Sequence, residues 1–201
     1  MESISPIIIA FITGVLGPIL IIVIKNRLNK STSTPDMLSD SLRIGERVTS
    51  KIDQIREDFK ADRVWITQFH NGGHFYPTGK SIAKFSVIYE TVALNTTSIQ
   101  SNFQNIPINL FSKSMNRLLE KDLIAISDFT DETIATYGLK YIAEDTGCKA
   151  GYLFAIKTID EKFIGVLGLD YTKRKTKLSP DDINHITNHA TALGGVLIST
   201  H

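Results

Sequence analysis

The chain is poor in cysteine and has almost no excess of positive or negative charge. Either feature, if present, would indicate a particular class of protein. Its 201 residues include a single cysteine, Cys148, so no disulfide can form within the chain, which agrees with a reducing, cytoplasmic environment. Lys and Arg together number 22, against 21 for Asp and Glu. This balance excludes bulk electrostatic binding of nucleic acid, and we predict no nucleic-acid partner.

Common catalytic motifs are missing as well. The sequence contains no Gly-x-Ser-x-Gly elbow, no Gly-x4-Gly-Lys-Ser/Thr phosphate loop and no His-Glu-x2-His helix. His185 and His189 have the i, i+4 spacing that can hold zinc on a helix, but no Cys or carboxylate at ligand spacing completes a site. We therefore predict that the protein is not an enzyme and that it has no metal and no cofactor.

Charge is absent from the amino-terminal stretch Ile4 to Ile24, a run of 21 residues. At about 1.5 Å of rise per residue, a helix of this length covers about 31 Å, close to the thickness of a bilayer's hydrocarbon core. Lys25, Arg27 and Lys30 follow it directly. The run therefore predicts a transmembrane helix whose partner is the lipid bilayer.

The basic flank also predicts an orientation. Positive residues lie only on the carboxyl side of the run, and such residues stay on the cytoplasmic face of a membrane. Met1-Glu2-Ser3 is acidic, unlike the basic start of a cleaved secretory signal. We expect a single-pass protein of the inner (cytoplasmic) membrane, with its N-terminus outside and its C-terminal domain in the cytoplasm.

Composition and periodicity divide the chain into four parts. Residues 1–28 are the predicted anchor with its basic flank, and residues 29–35 are a polar, Ser/Thr-rich linker. Residues 36–62 are predicted to form an amphipathic connecting helix, and residues 63–201 a single folded domain. Small or apolar residues recur along the connecting helix at alternating steps of four and three: Ser41, Gly45, Val48, Ile52, Ile55 and Phe59.

Two interpretations stay open for these six residues, which we call the seam of the helix. The steps of four and three are typical of a parallel coiled coil, which would make the helix Asp36 to Asp62 the interface of a homodimer. The same pattern is typical of a long amphipathic helix that packs on its own domain. The repeat covers fewer than three full heptads, which is too short to decide between them.

The remaining residues predict an α+β domain. Val64 and Ile66 alternate with Trp65, Thr67 and Phe69, which indicates a strand with two occupied faces, ending at a turn at Asn71-Gly72-Gly73. Further along, the pattern predicts a strand in Ile82 to Val92, a loop or lid over Thr96 to Asn109, a helix in Phe111 to Leu119, a strand in Leu123 to Ser127, a helix in Thr133 to Thr146, a hairpin of Ala150 to Ile159 with Lys162 to Tyr171, and a last helix from Ser179 to about Ser199.

Three segments of this pattern resemble a known family. Gly147 to Ile156 resembles the fifth strand of a GAF domain, Phe163 to Leu169 resembles its returning strand, and Leu178-Ser179-Pro180-Asp181-Asp182 resembles the entry into its last helix. The resemblance covers about residues 36 to 199 and implies an antiparallel sheet flanked by helices. The chain has neither the Asn-Lys-x-Asp-type cyclic-nucleotide motif nor the Cys-His bilin attachment pair of known subclasses.

The resemblance implies a function as a membrane-anchored, stand-alone sensory domain that binds a small ligand or a protein partner, in signalling or localisation. The alternative is a ligand-free, membrane-tethered scaffold or dimerisation module, which a phage-encoded origin would suit. The run Gln68 to Lys80 places glycines, imidazoles and aromatic rings near the expected mouth of a pocket. The predicted ligand-binding residues are His70, Asn71, Gly72, Gly73, Phe75 and Tyr76. A self-bonded glycine-rich hairpin explains the same residues without a ligand.

Overall fold

The computed structural model describes residues 16–31, 37–75 and 77–198. Its helices are α1 (Gly17–Ser31), α2 (Met37–Asp58), α3 (Ser112–Lys121), α4 (Lys140–Thr146) and α5 (Pro180–Leu197), with a 3-10 turn at Ile108–Phe111. Its strands are β1 (Arg63–His74), β2 (Ser81–Val92), β3 (Ile106–Pro107), β4 (Leu123–Ile126), β5 (Ala150–Lys157) and β6 (Phe163–Tyr171). The chain divides into a unit that ends at Ser41 and a unit that begins at Leu42.

The amino-terminal unit contains α1, which runs on to Ser31 and so extends into the predicted linker 29–35. Most of the predicted transmembrane segment, Ile4 to Ile24, lies outside the described residues. Among the helices that the structure describes, none is both long enough and apolar enough to cross a bilayer.

The second unit is built on one six-stranded antiparallel sheet with the strand order β3-β2-β1-β6-β5-β4. Helices lie on both sides of it, so the predicted α+β class with an antiparallel sheet flanked by helices is confirmed. The hairpin predicted around residue 160 is also confirmed, as β5 and β6. The last helix begins at Pro180, with Ser179 as its N-cap and a complete Ser179–Asp182 capping box.

One face of the sheet packs against α2 and α5. Val48, Ile52 and Ile55 of α2 are fully buried there with Val64 and Ile66 of β1. Four of the six residues of the predicted seam, Val48, Ile52, Ile55 and Phe59, therefore pack inside the domain, as the amphipathic-helix interpretation expects. Pairing of two chains through α2 would have to use its other faces.

Glycine allows α5 to approach the sheet closely. A Cβ at Gly194 would lie only 2.0 Å from the backbone oxygen of Lys157, at the end of β5. At the neighbouring Gly195, a Cβ would meet nothing within 4 Å.

Two predicted boundaries are wrong. The turn expected at Asn71-Gly72-Gly73 does not form there, because β1 continues through a bulge to His74 and the chain reverses between Phe75 and Lys80. The helix expected over Thr133 to Thr146 begins only at Lys140. Tyr137 and Gly138 have φ values of 50° and 84°, which no α-helix accommodates, so the helix cannot start earlier.

Candidate ligand-binding cavity

The other face of the sheet borders an internal cavity of about 80 Å³, closed by α3, α4 and the segment between β2 and β3. Trp65 and Thr67 of β1 point into it, on the opposite face from Val64 and Ile66, so the prediction of two occupied faces is confirmed. Most of the lining is apolar, and much of it is aromatic. The rings around the cavity belong to Trp65, Phe85, Phe103, Phe111 and Phe129.

The segment predicted as a lid, Thr96 to Asn109, closes one side of the cavity with Ile99 and Phe103. It is tied firmly to β2. The Glu90 carboxylate accepts hydrogen bonds from the backbone N–H of Ile99 (2.8 Å) and of Gln100 (3.1 Å). The backbone N–H of Val87 donates to Phe103 O over 2.8 Å. These bonds hold Ile99 and Phe103 over the cavity.

The cavity has one strongly polar end, formed by Arg63 and Asp170 on neighbouring strands. They are register partners in β1 and β6, and they are the two charged residues among those that line the cavity. Arg63 Nε donates to Asp170 Oδ2 over 2.8 Å, and Trp65 Nε1 donates to the same oxygen over 3.0 Å. Arg63 is 0% exposed and Asp170 7%, so the pair is effectively out of water.

Trp65 lies flat on the sheet because its neighbour has no side chain. A Cβ at Gly168, the register partner of Trp65 in β6, would lie 2.1 Å from Cε2 of the indole. The glycine thus makes room for the ring, and the ring's position brings its N–H to Asp170. A residue with no side chain is therefore needed to build the polar end.

The other polar atoms of the two side chains also lie close to neighbouring groups. Arg63 Nη1 donates to Thr97 O over 2.8 Å, whereas Nη2, 2.7 Å from Asp170 Oδ2, completes no hydrogen bond to any described residue. Asp170 Oδ2 receives two donors, while Oδ1 faces Gly151 of β5, 3.6 Å from where a Cβ would stand.

Cys148 also lines the cavity, and its side chain is buried. Its Sγ donates to Ala150 O over 3.0 Å. Burial, together with the negative charge of Asp170, raises the pKa of the Cys148 thiol far above its usual range. The thiol therefore stays protonated and is a poor nucleophile.

The residues predicted to bind a ligand lie on the outer part of the β1–β2 hairpin, away from this cavity. His70 Nε2 is 3.0 Å from Ser86 Oγ, and Asn71 Oδ1 accepts from Ser81 Oγ (2.9 Å) and from Gly73 N–H (3.3 Å). His70, Asn71, Gly72, Gly73 and Phe75 are not among the residues that line the cavity, and Tyr76 lies outside the described residues.

The hairpin is thus internally bonded, as the alternative to a ligand site expects. Phe75 is 50% exposed, and a Cβ at Gly72 would collide with the side chain of Lys84. Binding of a ligand by the six predicted residues stays a prediction.

Sequence reasoning missed Arg63 and Asp170. The available signal was a charged residue within an apolar strand pattern, Arg63 before Val64 and Asp170 after Leu169. Such residues are seldom fully buried unless they are paired. The pairing itself is long-range and could not be inferred without the strand order.

The two histidines at i, i+4 spacing lie on α5, on the other side of the sheet. Their rings stack with centroids 4.7 Å apart, and both contact Phe59 edge to face. His189 is 7% exposed, and burial lowers its pKa, followed by the nearby positive charge of Lys51. Within the described ranges, no group of three or more His, Cys, Asp and Glu side chains has the arrangement of a metal site.

Comparisons with known proteins show the fold. No family model matches the sequence, and no curated protein matches it significantly. Among solved structures, the blue-light absorbing form of the Thermosynechococcus elongatus PixJ GAF domain is 15% identical, with a TM-score of 0.61, covering 79% of this chain and 87% of that one.

Two further structures agree. A phycoerythrobilin-bound GAF domain from a cyanobacterial phytochrome is 20% identical over 78% of this chain and 86% of that one, with a TM-score of 0.61. A far-red cyanobacteriochrome photoreceptor is 12% identical over 84% and 93%, with a TM-score of 0.59. The chain has a GAF-like fold.

Proposed function

We propose that this protein is a non-enzymatic sensory protein whose GAF-like domain binds a small ligand in the internal cavity. The observation that carries the proposal is the pairing of an apolar, aromatic wall with one buried polar end at Arg63 and Asp170. Small-molecule sites have this composition, because apolar surface supplies affinity and a few placed polar groups supply orientation.

The size of the cavity limits the occupant. One neighbour is described as phycoerythrobilin-bound, and a bilin has four rings. The cavity of about 80 Å³ is smaller than the roughly 150 Å³ engineered cavity of another protein that holds benzene. We therefore infer a ligand of about one ring. The absence of the Cys-His attachment pair supports the same conclusion.

A thermal-shift screen of one-ring metabolites on the full chain in detergent tests this function. A ligand at 100 times its Kd stabilises its target by about 2.7 kcal/mol, which raises the Tm by about 5–10 °C for a domain of this size. Ala143→Leu, which fills the cavity from α4, should abolish the shift. His70→Ala on the hairpin should leave it intact. If no compound stabilises the protein, or if Ala143→Leu keeps the full shift, the proposal is wrong.

We further propose that Ile4 to Ile24 anchors the protein in the inner membrane, with the N-terminus outside and residues 25–201 in the cytoplasm. The uncharged run and its basic flank support this. A membrane-impermeant maleimide should label Ser3→Cys in intact cells, and Ser101→Cys only after permeabilisation. The buried Cys148 should not be labelled in either variant. Equal labelling of the two variants in intact cells would contradict the orientation.

A homodimer through the helix from Asp36 to Asp62 is a third proposal. Leu42 is 66% exposed on this helix, while Val48 is buried in its own domain. In membranes, Leu42→Cys should cross-link two chains and Val48→Cys should not. If Leu42→Cys forms no cross-link, the proposed homodimer through this helix is wrong. If the ligand screen also fails, the tethered scaffold becomes the better account.

A further inference from the structure

The edge of the sheet at β4 is a second binding surface, separate from the internal cavity. We propose that this edge binds an extended, acidic segment of a partner protein, which adds to the six-stranded sheet as a further strand. The residues that line this surface do not line the cavity, so the proposal does not depend on the cavity ligand.

The first step is the backbone of β4, which is the last strand in the order and pairs with β5 alone among the described strands. Ala155 N–H donates to Asp122 O over 2.9 Å, just before β4 begins at Leu123. Because the residues of an antiparallel strand bond to their partner alternately, the N–H and C=O groups of Leu123 and Ala125 point away from β5. No described residue forms a hydrogen bond with these groups. They are therefore available to a further strand.

The second step is the space beside this edge. A groove of about 380 Å³ lies between β4, α3 and residues 134–137, and Leu123 and Ala125 border it. Ala125 is exposed, so the edge is accessible from solvent. At the other end of the sheet, β3 has only two residues, and one of them is a proline, which cannot donate. The edge at β4 is therefore the better one for strand addition.

The third step is charge. Among the described residues that line the groove, Arg117 and Lys121 of α3 are the charged ones. Neither cation forms an ion pair or a hydrogen bond with a residue that the structure describes, and Arg117 Nε is buried without an acceptor. The guanidinium carbon of Arg117 lies 5.5 Å from the ring centroid of Tyr137, which also lines the groove. Because both cations lack a counter-charge, the groove favours an acidic occupant.

The fourth step is spacing. Arg117 and Lys121 are four positions apart on α3, so about 6 Å separates them along the helix axis. Alternate side chains of an extended strand are about 6.6 Å apart and point to the same face. Two acidic residues separated by one residue can thus face both cations while the backbone of the segment pairs with β4. The partner segment therefore has the pattern acid-x-acid.

Fluorescence anisotropy of short peptides tests the proposal on the full chain in detergent. The acidic probe is Thr-Glu-Val-Glu-Thr-amide with a dye at its amino terminus, and its controls have Gln or Lys in place of both Glu residues. Since each exposed charge pair contributes little, we expect the Glu peptide to bind about fivefold more tightly than the Gln peptide. The Lys peptide should bind more weakly still. Equal binding of the three peptides would overturn the proposal.

Methylated peptides test the strand pairing itself. In an added strand, alternate residues turn their N–H groups towards β4, and the others turn them towards solvent. One peptide therefore carries N-methyl groups at both Glu residues, and a second carries them at Val and at the last Thr. One of the two should lose affinity by at least about tenfold, and the other should bind like the parent peptide. If both keep their affinity or both lose it, the segment does not pair with β4.

The double variant Arg117→Gln/Lys121→Gln tests the assigned cations. It should abolish the preference for the Glu peptide over the Gln peptide. Lys113→Gln is the matched control, because Lys113 is exposed on the same helix and does not line the groove, and it should keep the full preference. If the double variant does not fold, Lys121→Gln alone, at an exposed side chain, should reduce the preference to about twofold. An unchanged preference would overturn the proposal.

The small dicarboxylate glutarate separates strand addition from binding of a free anion. It offers two carboxylates but no backbone that can pair with β4. Glutarate should therefore fail to displace the Glu peptide at concentrations at which the unlabelled peptide does so. Displacement by glutarate as effective as that by the peptide would make the groove a site for small anions, and strand addition would be wrong.

Discussion

Removing one partner of the buried Arg63–Asp170 pair should destabilise the protein far more than removing both. In Arg63→Met, the Asp170 carboxylate stays at 7% exposure and loses its counter-charge, while the indole N–H of Trp65 still donates to it. In Asp170→Leu, a fully buried guanidinium loses its counter-charge. Breaking a buried ion pair in this way costs about 3–5 kcal/mol, so each single variant should lose about that much free energy of unfolding.

The double variant Arg63→Met/Asp170→Leu removes both charges together. In this variant the indole N–H of Trp65 loses its acceptor, which costs about 1–3 kcal/mol of the free energy of unfolding. The backbone oxygen of Thr97 loses its donor too, but Thr97 is exposed, so this oxygen can bond water instead. The introduced Met and Leu side chains have volumes similar to those they replace, so their packing offsets part of this loss in stability. We expect the double variant to lose no more than about 3 kcal/mol, against about 6–10 kcal/mol for the sum of the two single variants.

Urea unfolding of the full chain in detergent measures the four free energies. The single tryptophan, Trp65, reports on the pair directly by fluorescence, and circular dichroism reports on the whole domain. Equal midpoints by both methods would validate the comparison. If the double variant is as unstable as the sum of the singles, the two charges are not coupled and the account of the polar end is refuted.

Further predictions concern α5 and the histidines. Gly194→Ala should lower the Tm clearly, since its Cβ would meet the Lys157 oxygen at 2.0 Å, while Gly195→Ala, with open space, should stabilise by about 0.5–1 kcal/mol, as measured by thermal unfolding of both variants. A stable Gly194→Ala would contradict the close approach of α5. Because burial lowers the pKa of His189, its neutral form stabilises the fold above about pH 6.5, the ordinary pKa of histidine, and this stability is lost as the pH falls further. His189→Leu should therefore flatten the fall of Tm between pH 7.5 and 5.5, whereas His74→Gln on the exposed hairpin should keep the original slope.

Local sequence patterns predicted the elements of the fold well. Alternation along β1 identified the two faces of the strand, and Ser179-Pro180-Asp181-Asp182 marked the start of α5, where the structure has a capping box. These signals are local, because the period of the side chains and the bonds of a helix cap lie within a few residues. They identify elements but do not determine which strands become neighbours.

Turn chemistry was a weaker guide. Asn71-Gly72-Gly73 has the composition of a turn, yet β2 pairs with β1 beyond it, and the glycines sit at a bulge instead. Residues with a positive φ were also hard to recognise from the sequence. Tyr137 has a positive φ although tyrosine seldom adopts one, so the late start of α4 could not be predicted from residue type.

The candidate site was least predictable, because it is made by contacts between distant residues. Arg63 and Asp170 are 107 positions apart, and the indole of Trp65 reaches them only because Gly168 is its neighbour on β6. The hairpin has an unusual composition that stands out in the sequence, whereas most residues that line the cavity are ordinary apolar ones. A site of this kind becomes visible only when the strand order is known.

The central claim is that the internal cavity binds a small ligand, and the methyl group of Met115 reports on it most directly. Met115 lines the cavity, and the other two methionines, Met1 and Met37, serve as references in a spectrum of the full chain with 13C-labelled methionine methyl groups. On addition of the compound that most stabilises the protein, the account predicts a saturable shift of the Met115 signal, with Met1 and Met37 unchanged. An unchanged Met115 signal at saturating compound would contradict it.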